Sequence, residues 1–266
     1  MIFSSSFAVW YHLVHREWIM FSRSMRTTIV NNCIQGSFMT LLFGYLLPTL
    51  GMPSELRVPV FLGTVIMINL GTGFSTCMSV ANDIRTTKLV YYHLSLPVSP
   101  AVVMSAYVAG CMMRMFSIAI PVGILGLCGM GALHELSPAL LPLLAILVLT
   151  AAFFALSFLV VSIWLPFRVI MSSAWPRLFY PFFSLGAAFY TYEGVTTHVP
   201  VMRYILRCNP VTYCNEGLRS CLLGGSSFLP VSECTTFLLI TCVGLFFLLV
   251  KMSKKYLHVV TKREAV

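Results

Sequence analysis

The sequence predicts an all-α, polytopic membrane protein. It should have six transmembrane helices, an N-terminal interfacial amphipathic helix, and re-entrant helices between the fifth and sixth spans. Three observations carry this expectation. First, 58% of the 266 residues are hydrophobic and only 9% are charged, with a mean hydropathy of +0.89. A soluble domain carries about 25% charged residues, so a soluble enzyme, a disordered chain and a disulfide-stapled secreted module are excluded. Second, charge-free runs occur at 27–54, 58–82, 89–113, 115–134, 136–167, 178–192 and 234–250, and about 20 apolar residues suffice to cross a bilayer as a helix. Third, the basic residues are unevenly distributed between alternate connections.

Turn residues trim the runs to six spans, at about 27–47, 58–80, 101–128, 138–163, 172–194 and 234–252, within a single domain of 1–266. Pro48, Gly51 and Pro53 close the first span, and Pro97 and Pro100 delay the third. Gly129, Gly131 and Pro138 separate the third from the fourth. If the N-terminus is cytoplasmic, that side receives Arg16, Arg23, Arg26, Arg85, Lys88, Arg168 and Arg177. The tail adds Lys251, Lys254, Lys255, Lys262 and Arg263 to the same side, and the opposite side receives only Arg57, Arg203, Arg207 and Arg219. Positive charge accumulates on cytoplasmic loops, so both termini are expected there, in a multi-pass protein of the cytoplasmic (inner) membrane. The net charge of +9 is then a topology signal that also favours anionic lipid heads, and nucleic-acid binding is not expected.

Residues 1–26 lack a basic segment before the apolar one, so they do not resemble a signal peptide. Phe7, Trp10, Tyr11, Val14, Trp18, Phe21 and Met25 recur at steps of three and four, while His12, Arg16 and Arg23 share another face. That pattern predicts an interfacial helix anchored by Trp10 and Trp18, with Arg16 and Arg23 at the headgroups.

No catalytic constellation stands out. The sequence has no G-x-x-x-x-G-K-[ST], no H-E-x-x-H and no C-x-x-C, so neither ATP nor a metal is expected to bind this chain. Of the nine cysteines, Cys208, Cys214, Cys221 and Cys234 fall between the fifth and sixth spans. An external disulfide and free buried thiols are both open for them.

Two segments narrow the class. The connection 82–100 opens with Asn82-Asp83-Ile84-Arg85-Thr86-Thr87-Lys88, continues through Tyr91-Tyr92-His93, and closes on Leu96-Pro97-Val98-Ser99-Pro100. The segment 199–225 contains Asn209-Pro210-Val211-Thr212-Tyr213-Cys214-Asn215-Glu216-Gly217-Leu218-Arg219 and ends at Gly224-Gly225. With the N-terminal helix, these resemble the permease subunit of an ABC transporter of the ABC-2 (type V exporter) class. In that family a D/E-R-x-T-x-(D/E)-like loop leads to an LPVS turn, and an N-P-x-T-Y-x-x-E-x-x-R-like segment precedes the last helix. Thr86-Thr87-Lys88 departs from the family, where a glycine and an acidic residue are common. The E-A-A…G loop of importer permeases is absent, which favours export.

The resemblance implies that 82–100 is a cytoplasmic coupling loop, docking on an ATPase through Asp83, Arg85, Lys88, Tyr91 and Tyr92. The plainer alternative is a solvated basic turn that enforces topology. The resemblance also implies an outer gate built from Asn209, Pro210, Tyr213, Glu216 and Arg219, within a re-entrant segment at 199–225, where the plainer alternative is an ordinary surface loop held by a salt bridge. Spacing alone lets Asn209 cap a helix, places Pro210 in its first turn, and sets Glu216 and Arg219 on one face three residues apart. The implied partners are two copies of an ABC ATPase carrying ATP and Mg, a second permease copy, and membrane lipids. The cargo class is amphipathic: a lipid-linked glycan, a lipid or a drug-like molecule. An ATP-independent pore or scaffold is the rival reading. Candidate pathway residues are Asn69, Tyr107, Arg114 and Tyr190. Arg114, near the middle of the third span, either attracts an anionic group or pairs with a neighbour.

Overall fold

A computed structural model describes residues 2–136, 139–224 and 227–264. Every regular element among the described residues is helical. Helix α1 (Ile2–Leu41) runs unbroken for 40 residues. The boundary expected between an interfacial helix at 1–26 and a first span at 27–47 is therefore absent. The reason is local: residues 2–35 contain neither Gly nor Pro, so nothing interrupts the backbone hydrogen bonding. A wider π-helical turn at Leu42–Leu46 and a last turn at Leu47–Thr49 finish the helix at Pro48.

Helix α2 (Arg57–Asn82) occupies the centre of the bundle and is buried along most of its length. A π-helical turn at Asp83–Thr87 follows, then Lys88 with φ +53° and the short helix α3 (Leu89–Leu94). Helix α4 (Pro100–Gly129) starts with Ser99, whose hydroxyl accepts from Val102 N at 3.4 Å, and with proline in its first turn. Helix α5 (Leu140–Trp164) ends before Pro166.

The fifth expected span, 172–194, takes a different form. Ile170–Phe179 is π-helical, α6 (Tyr180–Ser184) is one short turn, and regular helix stops there. Pro176 and Pro181 each remove a backbone donor and crowd the preceding turn. Irregular backbone carries the chain from Leu185 to α7 (Tyr192–His198). Then come α8 (Met202–Cys208), α9 (Pro210–Leu223) and the long α10 (Val231–Glu264).

Among the described residues, four helices are long and apolar enough to cross a membrane: Ser54–Asn82, Pro100–Gly129, Leu140–Trp164 and Val231–Leu257. The second half of α1 is not among them, since Thr27, Thr28, Asn31, Asn32, Gln35 and Ser37 dilute it. The prolines break the region 170–184.

Helix α1 lies parallel to α4, with Glu17 beside Gly110 at one end and the Tyr45 hydroxyl donating to Gly129 O at 2.5 Å near the other. The two helices approach closely because glycines sit at the seam. A Cβ on Gly36 would stand 2.7 Å from Val122, and one on Gly110 would stand 2.8 Å from Glu17. Helix α10 packs on α5, and α2 wedges between these two pairs. The bundle thus has a loop end, holding 83–99 and the last turns of α10, and an opposite clamp end, holding 185–224.

Candidate functional site at the two ends of the bundle

The clamp end is organised by side chains of α9. Asn209 Oδ1 accepts from Val211 N at 3.0 Å, capping the helix, while its Nδ2 donates to Phe182 O at 2.6 Å. One turn on, the Tyr213 hydroxyl donates to Arg207 O at 3.0 Å, and its ring stacks on Phe237 with centroids 4.0 Å apart. Asn215 Nδ2 donates to Gly186 O at 2.7 Å. Glu216 and Arg219 are both 0% exposed and pair at 2.8 Å.

The guanidinium of Arg219 also donates to four carbonyls. Nε reaches Pro59 O at 2.8 Å, Nη1 reaches Ala187 O at 2.8 Å and Tyr190 O at 2.9 Å, and Nη2 reaches Ala188 O at 3.0 Å. Glu216 Oε1 in turn accepts from Tyr192 N at 3.2 Å. The physical logic is one of satisfaction. Backbone that leaves a helix inside an apolar bundle presents carbonyls with no intrahelical donor. Here α9 supplies the donors, and arginine suits the task because its fork holds five N–H groups in a fixed plane. Ala187 takes φ +57° within the cradle. Gly63 on α2 lets Ala188 approach, since a Cβ there would overlap the Ala188 carbonyl.

A second polar cluster lies toward the loop end. Arg114 on α4 bonds Glu17 on α1 at 2.7 Å and stands 5.9 Å from the centre of the Phe21 ring. Arg16 also touches Glu17, at 3.2 Å. His93 of α3 is 5% exposed and shares a 2.8 Å hydrogen bond between Nδ1 and the Tyr107 hydroxyl. Burial, and next the nearby Arg16 charge, lower the His93 pKa to about 4, so the ring is neutral at pH 7. The Tyr256 hydroxyl of α10 donates to Ile84 O at 3.0 Å. Two long helices, α4 and α10, therefore hold the connection 83–99 through hydrogen bonds.

Within that connection Lys88 and Tyr92 are exposed, while Asp83 and Tyr91 are half-buried. The side chains of Arg85, Lys262 and Arg263, and Gly225, lie outside the described residues. Thr87 donates to Asp83 Oδ1 at 3.2 Å, which closes the turn on itself.

The residues of the stripe expected on the first helix divide between the bundle side and the outer side. Leu13 and Phe21 are buried, Trp10 and Val14 are half-buried, and Glu17 turns inward with Arg16 beside it. Phe7, Tyr11 and Trp18 face away from the bundle, as does Arg23. The half-buried guanidinium of Arg114 calls for a carboxylate, and Glu17 is the only acidic residue in the first 54. That solitary acid is a signal legible in the sequence, as are Asn215 and His93, but hydrophobic periodicity does not register it.

The four candidate pathway residues do not converge. Tyr107 is tied to His93 and Arg114 to Glu17. The Tyr190 hydroxyl donates to Ser184 O at 3.1 Å within the clamp. Asn69 stands apart, buried on α2 with its Oδ1 unpartnered. The nine cysteines are free thiols, so no disulfide links Cys208, Cys214, Cys221 and Cys234.

The family model for the ABC-2 type transporter matches residues 8–223, which takes in α1 to α9 almost entire. The chain belongs to the ABC-2 type transporter family. It is accordingly a multi-pass membrane protein and a permease component of an ABC transporter, of the kind that normally partners with an ABC ATPase. Comparison with curated proteins finds no match. The ABC-2 match gives the two ends a context, because the loop and the clamp both lie inside the matched region.

Proposed function

We propose that the chain is the permease subunit of an ATP-driven exporter moving an amphipathic cargo, such as a lipid-linked glycan, a lipid or a drug-like molecule, across the cytoplasmic membrane. Two permease copies would assemble with two ATPase chains, which carry the ATP and Mg, and this chain performs no chemistry itself. The loop end and both termini are cytoplasmic on this reading, as the Lys/Arg asymmetry supports. The second half of α1 and the region 170–184 complete six crossings, lined with other helices where they are too polar to face lipid alone. The clamp end then folds back into the outer leaflet, where irregular backbone is tolerated only within protein.

One observation supports this reading most. The connection 83–99 exposes a cation and an aromatic, Lys88 and Tyr92, while His93–Tyr107 and Tyr256–Ile84 tie the same connection to α4 and α10. A push on that surface is delivered to two long helices instead of being absorbed by a loose loop. In this mechanism, ATP-driven closure of the ATPases moves the loop, the movement passes along α4 and α10, and the α9 clamp rocks to open the outer mouth.

Co-purification from the native host tests the proposal. The tagged chain should capture an ATPase, and Lys88→Glu with Tyr92→Ala should abolish capture or uncouple ATP hydrolysis from transport. A chain that captures no ATPase, with transport indifferent to Lys88, Tyr92 and Arg85, overturns it in favour of an ATP-independent pore or scaffold.

A further inference from the structure

A cleft of about 180 Å³ lies between α2, α4, α5 and α9, on the clamp side of Arg114. Its roof is Leu218 and Leu222 of α9, on the helix that carries the Glu216–Arg219 pair. Its mouth opens on the flank of α4 beside Ile120 and Ile124, which are 49% and 56% exposed. In a membrane that flank faces lipid tails. Between these two isoleucines stands Gly123, where an added Cβ would meet nothing within 4 Å.

Among the described residues the lining contains no charged side chain and two polar ones, Asn69 and Thr150. Asn69 is 9% exposed and its Oδ1 has no hydrogen-bond partner. Thr150 is 6% exposed, and its hydroxyl makes no hydrogen bond of normal geometry, with only the weakly bonding Cys214 thiol for company. An amide oxygen in hydrocarbon without a donor costs several kcal/mol, so the site asks for a molecule that brings one.

We propose that this cleft binds the hydroxyl end of an uncharged lipid alcohol. The hydroxyl donates to Asn69 Oδ1 and accepts from Thr150 Oγ1, and the aliphatic chain leaves past Gly123 into the bilayer. Size and charge both select this class. An apolar cavity of about 150 Å³ admits a molecule the size of benzene, so 180 Å³ holds only the end of a lipid. A phosphate or carboxylate would be buried with no cation opposite. The occupant presses on Leu218 and Leu222, so it bears on the proposed gate helix. The binding site itself requires only a membrane-embedded chain, and its failure leaves the exporter proposal to be judged by ATPase capture.

The experiment uses the full chain in phosphatidylcholine nanodiscs with a diazirine-bearing hexadecanol, mapping labelled peptides by mass spectrometry. Unlabelled hexadecanol, hexadecane and palmitic acid serve as competitors. Saturable labelling of α4 and α5 peptides is expected, with hexadecanol the strongest competitor. Gly123→Leu should remove the saturable component, since its side chain fills the mouth. Asn69→Leu should weaken hexadecanol roughly fivefold, the worth of one net hydrogen bond, and leave hexadecane unchanged. Melting curves for both variants establish that they fold, and the Asn69→Leu selectivity stands alone if Gly123→Leu does not. Labelling that rises linearly with probe, that is indifferent to both substitutions, or that palmitic acid displaces best, overturns the proposal. So does labelling that is absent, with water left to satisfy Asn69.

Discussion

Removing the Arg219 side chain isolates the clamp. In Arg219→Met the aliphatic stem is kept, and the charge and all five donors go. Glu216 is then a fully buried carboxylate without its cation, and Pro59, Ala187, Ala188 and Tyr190 lose their shared donor. Breaking a buried pair by deleting one partner costs about 3–5 kcal/mol. The four carbonyls add to this, though not additively, because they share one side chain. At about 2–4 °C per kcal/mol for a chain of this size, the melting temperature should fall by roughly 10 °C. The protein carries its own reporter: Cys214, Cys221 and Cys234 are buried thiols on the clamp helix and on α10, which packs against it, so a maleimide dye reads their exposure on heating in detergent. The double variant Glu216→Leu with Arg219→Met removes both charges and should recover part of the loss. Arg219→Lys restores charge without the fork and should fall between wild type and Met. A melting temperature for Arg219→Met within 2 °C of wild type would refute the satisfaction argument, and a double variant worse than the sum of the singles would refute the lone-charge part.

Three further outcomes are expected. Gly63→Ala should destabilise by several kcal/mol, about the range of severe steric substitutions, because its Cβ overlaps a carbonyl instead of a flexible side chain; a melt indistinguishable from wild type contradicts the close approach. Glu17→Ala should cost on the order of 2 kcal/mol, reduced from the fully buried case because 14–20% of each side chain in the Glu17–Arg114 pair is exposed, and Arg114→Met in the same background should restore part of it in a double-mutant cycle. Between pH 6.5 and about 4 the unfolded chain takes up a proton that native His93 refuses, so stability should fall as pH drops through that window, by on the order of 3 kcal/mol at most. His93→Asn should flatten the slope, and an unchanged pH profile in that variant would assign the loss to other groups.

The legibility of the chain in its sequence differed by level. The spans α2, α4, α5 and α10 follow from long apolar runs, the α4 run broken only by Arg114, because hydrocarbon length alone sets how many residues a crossing needs. The cap at Asn209-Pro210 and the Glu216–Arg219 pair follow from local rules reaching no further than one helical turn. The end of α1 and the fate of 172–194 were harder. A helix continues where no residue stops it, so α1 ignored the change from amphipathic to apolar at Arg26. Pro176 and Pro181 were visible, but how far they disrupt a helix depends on what receives the freed carbonyls.

By itself, then, the sequence determined the solvent of this protein, its four strongest crossings, the bias of its basic residues and the resemblance that the ABC-2 family match later placed on firm ground. Those properties are sums over composition or relations within a turn. Only the tertiary structure decided that Arg219 reaches Pro59 on α2, 160 residues away, that Arg114 is answered by Glu17 on α1, and that Asn69 is left with an unpartnered oxygen in an apolar cleft. Each of these depends on which helix faces become neighbours. In a bundle whose surfaces are nearly all apolar, a few buried polar groups in need of partners set that choice, and hydrophobic periodicity does not.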